Sequence, residues 1–79
     1  MSWAANVDRH LDVSGLLCPE PVMRARLALA KMHSGQVLEI RATDPLAEVD
    51  LRLFCERTGH RLQFMEPADS GILAQIRKR

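Results

Sequence analysis

Hydrophobic and polar positions along the chain follow two different periods, which together predict six secondary-structure elements. Strict alternation is typical of half-buried strands, whereas apolar residues recurring every three or four positions indicate amphipathic helices. The alternating segments are 9–13 and 36–42, residues 60–65 and 71–76 are predicted as two further strands, and the helical segments are 19–33 and 45–58. The predicted order is therefore strand, helix, strand, helix, strand, strand.

Prolines and glycines mark the predicted helix ends. Pro19 and Pro21 suit a first helical turn, because N–H groups there have no partner inside the helix. Asp44, followed by a proline, predicts an aspartate cap on the second helix. Gly35 and Gly59 follow the two helices and suit the left-handed conformation that ends many helices.

This order of elements predicts an α+β two-layer sandwich. A strand–helix–strand unit gives a right-handed crossover between parallel strands, and residues 66–70 suit a short link in an antiparallel hairpin. We therefore expect a four-stranded mixed sheet with both helices on one face. With 79 residues and 47% hydrophobic positions, the chain should form one domain over residues 9–79, preceded by a flexible tail over residues 1–8.

The first predicted helix carries two apolar strips. The strip expected to face the core contains Val22, Ala25, Leu29 and Met32. The second strip contains Met23, Leu27 and Ala30. We interpret the second strip as the flank of a wide core face, and a partner-docking surface is the alternative.

Charge and composition exclude several classes of protein. The net charge of +1 and three scattered aromatic side chains argue against direct nucleic-acid binding. No apolar run approaches the ~20 residues that a membrane span requires. The first eight residues show neither a basic start nor an apolar signal segment, so a cytoplasmic location is expected.

Two cysteines carry the candidate chemistry. Cys18 and Cys55 form no Cys-x-x-Cys pair, and a reducing compartment would keep both as thiols. Cys55 shares a helical face with Leu51 and Phe54, so we expect it to be buried. No metal site and no cofactor are predicted, because none of the three histidines pairs with a cysteine at ligand spacing. Those histidines are His10, His33 and His60.

Cys18 has the strongest chemical position, at the expected cap of the first helix. The helix dipole and unpaired N–H groups there would stabilise a thiolate, which is the reactive form. Pro19 and Pro21 remove two donors, and the Glu20 carboxylate opposes ionisation, although Arg24 could offset it. We predict an exposed, modestly activated thiol held by a stiff backbone. The alternative is a small buried apolar residue, as cysteine often is.

No general base, metal ligand or second thiol is placed by sequence to serve Cys18. A reactive thiol without such helpers is better suited to a carrier than to a complete enzyme. Such a sulfur would receive a group from one protein and present it to another.

Residues 11–23 resemble the TusA (SirA-like) family of sulfur carriers, and the similarity extends from Leu11 to residues 76–78. The family hallmark, Cys-Pro-x-Pro at the start of the first helix, is present as Cys18 to Pro21. The resemblance implies a βαβαββ two-layer fold. It also implies that Gly15, Pro19, Glu20, Pro21 and Asp44 are motif residues that support the site.

The resemblance further implies a sulfurtransferase function in which Cys18 accepts a sulfane sulfur from a cysteine desulfurase and becomes a persulfide. The sulfur would pass to a relay or acceptor protein, in tRNA thiolation, molybdenum-cofactor metabolism or related sulfur metabolism. Arg24 and Arg26 are the candidate partner contacts, and a monomer is expected. The alternatives are a regulatory module whose Cys-Pro-x-Pro segment is only structural, and an RNA-binding module using the basic C-terminus.

Overall fold

Six elements follow one another in the predicted order βαβαββ. The computed structural model describes residues 7–79, so most of the predicted flexible tail lies outside the described residues. Within them, Asp8 already exchanges hydrogen bonds with Val37. The elements are β1 (Arg9–Asp12), α1 (Glu20–Ala30), β2 (Val37–Ala42), α2 (Ala47–Thr58), β3 (Arg61–Ala68) and β4 (Gly71–Arg77).

The four strands form one mixed sheet in the spatial order β1-β2-β4-β3. Strand β1 pairs with β2 in parallel, and the β2–β4 and β3–β4 pairs are antiparallel. Since β2 and β3 consequently point the same way, each helix connects two strands of one direction. Both helices therefore begin at the end of the sheet where the carboxyl ends of β1 and β2 lie. This end of the sheet carries the candidate site.

One face of the sheet and both helices enclose the core. The buried residues shared by the two layers are Val13, Ala25, Ala28, Leu29, Met32, Leu38, Ile40, Ala42, Ala47, Leu51, Phe54, Cys55, Ala74 and Ile76. The opposite face mixes polar and apolar side chains and carries a hydrogen bond from Gln63 to Gln75, among other contacts. The predicted α+β sandwich with its helices on one face is confirmed.

Both helices are shorter than predicted. Helix α1 starts at Glu20 behind Pro19 and ends at Ala30, where the Lys31 N–H donates to the Ala28 carbonyl and the Met32 N–H to the Leu29 carbonyl, which tightens the last turn. Gly35, predicted to end this helix, instead lies in the following turn, with φ of 89°. In α2, by contrast, Gly59 takes the predicted left-handed cap, and its N–H bonds the Cys55 carbonyl.

The hairpin link is tighter than the predicted 66–70. Ala68 already pairs with Gly71, so only Asp69 and Ser70 form the turn. Strand β3 can include Pro67 because it is an edge strand, where a missing N–H need not break the ladder.

The second apolar strip of α1 is exposed, and its interpretation as the flank of the core was wrong. Leu27 is 60% and Met23 46% exposed, because α1 packs on the sheet through Ala25, Ala28 and Leu29. The alternative interpretation, a surface available to a partner, is compatible with this exposure. Within residues 7–79, neither helix has the length and apolar character that crossing a membrane would require.

Candidate functional site at Cys18

Cys18 lies in the loop between β1 and α1, and its thiol is exposed, as predicted. It is not the helix cap, because Pro19 holds that position. The Cys18–Pro19 peptide bond is cis. The Glu20 N–H bonds the Leu17 carbonyl at 2.8 Å, closing a turn around the cysteine. Cys18 therefore stands two residues before the first residue of the helix, with its side chain open to solvent.

Asp44 holds the cysteine loop from the neighbouring connection. Its Oδ2 accepts the Cys18 N–H at 2.9 Å, and its Oδ1 accepts the Leu46 N–H at 3.3 Å. The expected cap role was therefore wrong, since α2 begins only at Ala47, with Leu46 as its cap. Asp44 is 8% exposed, so its two bonds tie the cysteine loop to the turn that precedes α2.

A second bond joins the same two loops. The Gly15 N–H donates to Thr43 Oγ1 at 2.9 Å. Gly15 adopts φ of 85°, which glycine takes without steric cost. Both motif residues, Gly15 and Asp44, thus act on the backbone that carries Cys18.

The surroundings of the thiol disfavour the thiolate, contrary to the predicted modest activation. A hydrogen bond with the Asp50 carboxylate raises the pKa of Cys18 above its ordinary value, with smaller contributions from desolvation and from the charges of Asp50 and Asp44. These carboxylates oppose the helix N-terminus, which by itself would favour the thiolate. Glu20, expected to be the opposing charge, instead forms an ion pair with Arg24 at 3.3 Å.

Asp50 is the functional residue that sequence reasoning missed. It lies in the first turn of α2, far from Cys18 along the chain. The available signal was topological, because two helices that start at the same end of a sheet have their first turns close together. An acidic residue in the first turn of the second helix is therefore a candidate neighbour of a thiol that precedes the first helix.

An open groove of about 590 Å³ extends from Cys18 between the two helices. Its lining residues are Cys18, Pro19, Val22, Arg26, Asp50, Leu53, Phe54, Arg57, Thr58 and His60. Of the two arginines predicted as partner contacts, Arg26 lines this groove and Arg24 does not. The groove gives another macromolecule a route to the sulfur.

Cys55 is buried, as predicted, with 6% exposure. Burial raises the pKa of its thiol to about 11, so it remains protonated near neutral pH. Across residues 7–79, no three His, Cys, Asp or Glu side chains are arranged to hold a metal ion.

Replacing Asp50 with asparagine should lower the pKa of Cys18, because it removes the charge that opposes the thiolate. Since the thiolate is the form that is alkylated, the rate of modification by iodoacetamide rises with pH through the thiol pKa. In Asp50→Asn this rise should shift to lower pH, and alkylation at neutral pH should be several-fold faster.

Glu48→Gln is the matched control, because Glu48 also belongs to the first turn of α2 but pairs with Arg52 at 3.3 Å. It should leave the pH profile of alkylation unchanged. Identical profiles for Asp50→Asn and wild type would contradict the assigned role of Asp50.

Replacing Asp44 with alanine should loosen the cysteine loop, because it leaves the Cys18 and Leu46 N–H groups without their acceptor. The expected cost in unfolding free energy is about 2 kcal/mol, measurable by urea denaturation. Hydrogen exchange at the Cys18 amide should accelerate as well. Asp44→Asn keeps one acceptor oxygen, so its stability and its exchange rate should lie between those of wild type and Asp44→Ala. Unchanged exchange at the Cys18 amide in Asp44→Ala would contradict the role of Asp44 in holding the loop.

Comparison with known proteins agrees with this architecture. The model of the family described as sulfurtransferase TusA matches residues 9–78. A sulfur carrier protein TusA from Allochromatium vinosum is 46% identical over 67 residues, which cover 85% of this chain and 86% of the relative. A sulfur carrier protein TusA from Pseudomonas syringae is 38% identical over 73 residues, covering 92% of this chain and 87% of that protein.

A solved structure has the same fold. The crystal structure of a SirA-like protein from Desulfitobacterium hafniense superposes with a TM-score of 0.78 at 26% identity, covering 89% of this chain and 96% of the other. The family match spans every strand and helix described above. The chain therefore belongs to the sulfurtransferase TusA family.

Proposed function

We propose that this chain is a sulfur carrier that holds a sulfane sulfur as a persulfide on Cys18. The observation that supports this most strongly is the position of the thiol, which is exposed at the mouth of an open groove and held by backbone bonds. The relatives carry the name sulfur carrier protein, and the proposal assigns that role to residues 9–79 as a single domain.

The loading step is thiol–persulfide exchange. The Cys18 sulfur attacks the outer sulfur of a persulfide on a cysteine desulfurase, and a new sulfur–sulfur bond forms as the old one breaks. The thiol proton leaves to solvent, and the desulfurase cysteine departs as a thiolate. One sulfur atom is transferred, and no external oxidant or reductant is needed.

Unloading repeats the exchange in the other direction. A thiolate of a relay or acceptor protein attacks the outer sulfur of the Cys18 persulfide. The Cys18 sulfur then departs as a thiolate. The protein is a sulfurtransferase only in this limited sense, because the donor and acceptor enzymes supply the other chemistry. The acceptors we propose serve tRNA thiolation, molybdenum-cofactor metabolism or related sulfur metabolism.

The Asp50 contact suits a carrier. A thiol kept mostly protonated near neutral pH reacts slowly with dissolved electrophiles, since the thiolate is the nucleophile. Exchange would then be favoured inside a complex that presents the persulfide directly to the sulfur.

Sulfur loading tests the proposal. The reduced protein is incubated with a cysteine desulfurase and cysteine, separated from the enzyme and weighed by intact-mass spectrometry. The expected product is heavier by one sulfur atom and returns to its starting mass on reduction. A protein that gains no reducible sulfur from an active desulfurase would refute the proposal.

A further inference from the structure

The helix side of the molecule carries all the large apolar side chains that are exposed among residues 7–79. These are Leu17, Met23, Leu27, Leu46, Val49 and Leu53. They lie in α1, in α2 or in the segments that lead into them, whereas the opposite face of the sheet contributes none. This one-sided distribution is typical of a contact surface rather than of scattered surface residues.

Two arginines add positive charge to the groove on this side. Arg26 on α1 and Arg57 on α2 both line it. Among the described residues, neither guanidinium has a carboxylate within ion-pair distance, whereas Arg24, Arg41 and Arg52 are each paired. The two groove arginines are therefore available to carboxylates from another molecule.

Charge is distributed unevenly along the groove. Asp50 lies beside Cys18 at one end, and Arg57 follows it by seven residues, which is two turns or about 10 Å along α2. The end with the thiol is therefore acidic, and the part farther along is cationic. A ligand with acidic groups would be repelled at the thiol and attracted farther along.

We propose that the groove beside Cys18 binds an acidic, partly apolar segment of a partner protein, with the carboxylates of that segment on Arg26 and Arg57. The proposal rests on the proposed function, because this segment would belong to a sulfur donor or acceptor. Leu53, which is exposed and lines the groove beside Val22, receives its apolar side chains, and the other exposed apolar residues of the helix side flank the groove. The partner's reactive sulfur lies at Cys18, and its acidic residues follow about 10 Å farther along the groove.

Apolar contacts and cations have different tasks in such a site. Burial of apolar side chains, such as those of Leu53 and of the bound segment, supplies most of the affinity, in proportion to the apolar area removed from water. The arginines select acidic partners and increase the association rate, an effect that salt screens. Nucleic acid fits less well, because the carboxylates of Asp44 and Asp50 would repel phosphate at the thiol.

Peptide binding without any sulfur donor tests the surface. Amide NMR spectra of the reduced protein would be recorded with a short peptide of alternating glutamate and leucine, and with a lysine–leucine peptide of the same length. The acidic peptide should shift amides along α1 and α2 at the groove, and its affinity should fall as salt is raised. The lysine peptide should bind more weakly.

Arg26→Glu and Arg57→Glu should each weaken binding of the acidic peptide roughly fivefold, because attraction becomes repulsion. Arg61→Glu is the matched control, since Arg61 is exposed on β3, is not among the groove-lining residues and undergoes the same change of charge. Thermal unfolding of each variant checks that all three remain folded.

Equal binding of the two peptides, amide shifts on the opposite face of the sheet, or equal loss in Arg61→Glu would overturn the proposal. Tighter binding of a single-stranded RNA oligonucleotide at the same residues would also overturn it, in favour of a nucleic-acid site. Because no sulfur is transferred in these measurements, they fail or succeed independently of the loading experiment.

Discussion

Cys18→Ser should abolish sulfur loading by a cysteine desulfurase completely, with no reducible mass gain. Serine preserves the backbone N–H that bonds Asp44 and nearly preserves the side-chain volume, so the loop should keep its conformation. Its hydroxyl cannot form a persulfide, which requires a sulfur that attacks and later leaves as a thiolate. The comparison therefore isolates the chemistry of one atom.

Cys55→Ala is the control for the second thiol. Cys55 is buried and its thiol stays protonated, so its removal should leave loading unchanged. If Cys18→Ser still loads and Cys55→Ala does not, the site assignment is wrong. If Cys18→Ser retains the full cellular function of the protein, the Cys-Pro-x-Pro segment is structural and the chain is a regulatory module.

Gly71→Ala should cause the largest loss of stability of the substitutions considered, about 3 kcal/mol of unfolding free energy. A β-carbon at Gly71 would lie 2.8 Å from Thr43 Cα and closer still to the Ala42 carbonyl oxygen. These are backbone atoms, which cannot rotate away as a flexible side chain would. Strand β4 or the segment that leads to Asp44 must therefore move.

The same displacement should also move the loop that carries Cys18. Thr43 and Asp44 bond the Gly15 and Cys18 N–H groups, so a shift of this segment should also slow sulfur loading. Urea denaturation and the rate of loading measure the two effects on one sample. Both effects should appear together.

Gly35→Ala is the matched control for a glycine substitution. Gly35 has φ of 89°, but a β-carbon there would meet no atom within 4 Å. The expected cost is therefore only the left-handed strain, about 1 kcal/mol, and loading should be unchanged. Equal stability of Gly71→Ala and wild type would show that the close approach to Ala42 and Thr43 is not required.

Most of the fold could be predicted from the sequence, because hydrophobic period and turn residues are local signals. The order of elements and the left-handed cap at Gly59 follow from such signals. Helix ends and the hairpin turn could not be predicted as well. They depend on competing local bonds, such as those of Lys31, and on Pro67 being tolerated in an edge strand.

The candidate site, too, could be predicted only in part from the sequence. The exposed position of Cys18 and the burial of Cys55 follow from motif and helical spacing. The state of the thiol does not, because the carboxylates that raise its pKa belong to Asp50 and Asp44, which only the parallel arrangement of the two helices brings near. The exposure of Met23 and Leu27 likewise depends on the rotation of α1 about its own axis, which sets the side chains that face the sheet.

Locating the transferred sulfur tests the central claim most directly. Trypsin should release residues 10–24, with Cys18 as the sole cysteine, and residues 53–57, with Cys55. After loading by a desulfurase and blocking of thiols and persulfides by alkylation, tandem mass spectrometry should find the extra sulfur only on the 10–24 peptide. Extra sulfur on the 53–57 peptide, or on neither, would contradict the assignment of the carrier thiol to Cys18.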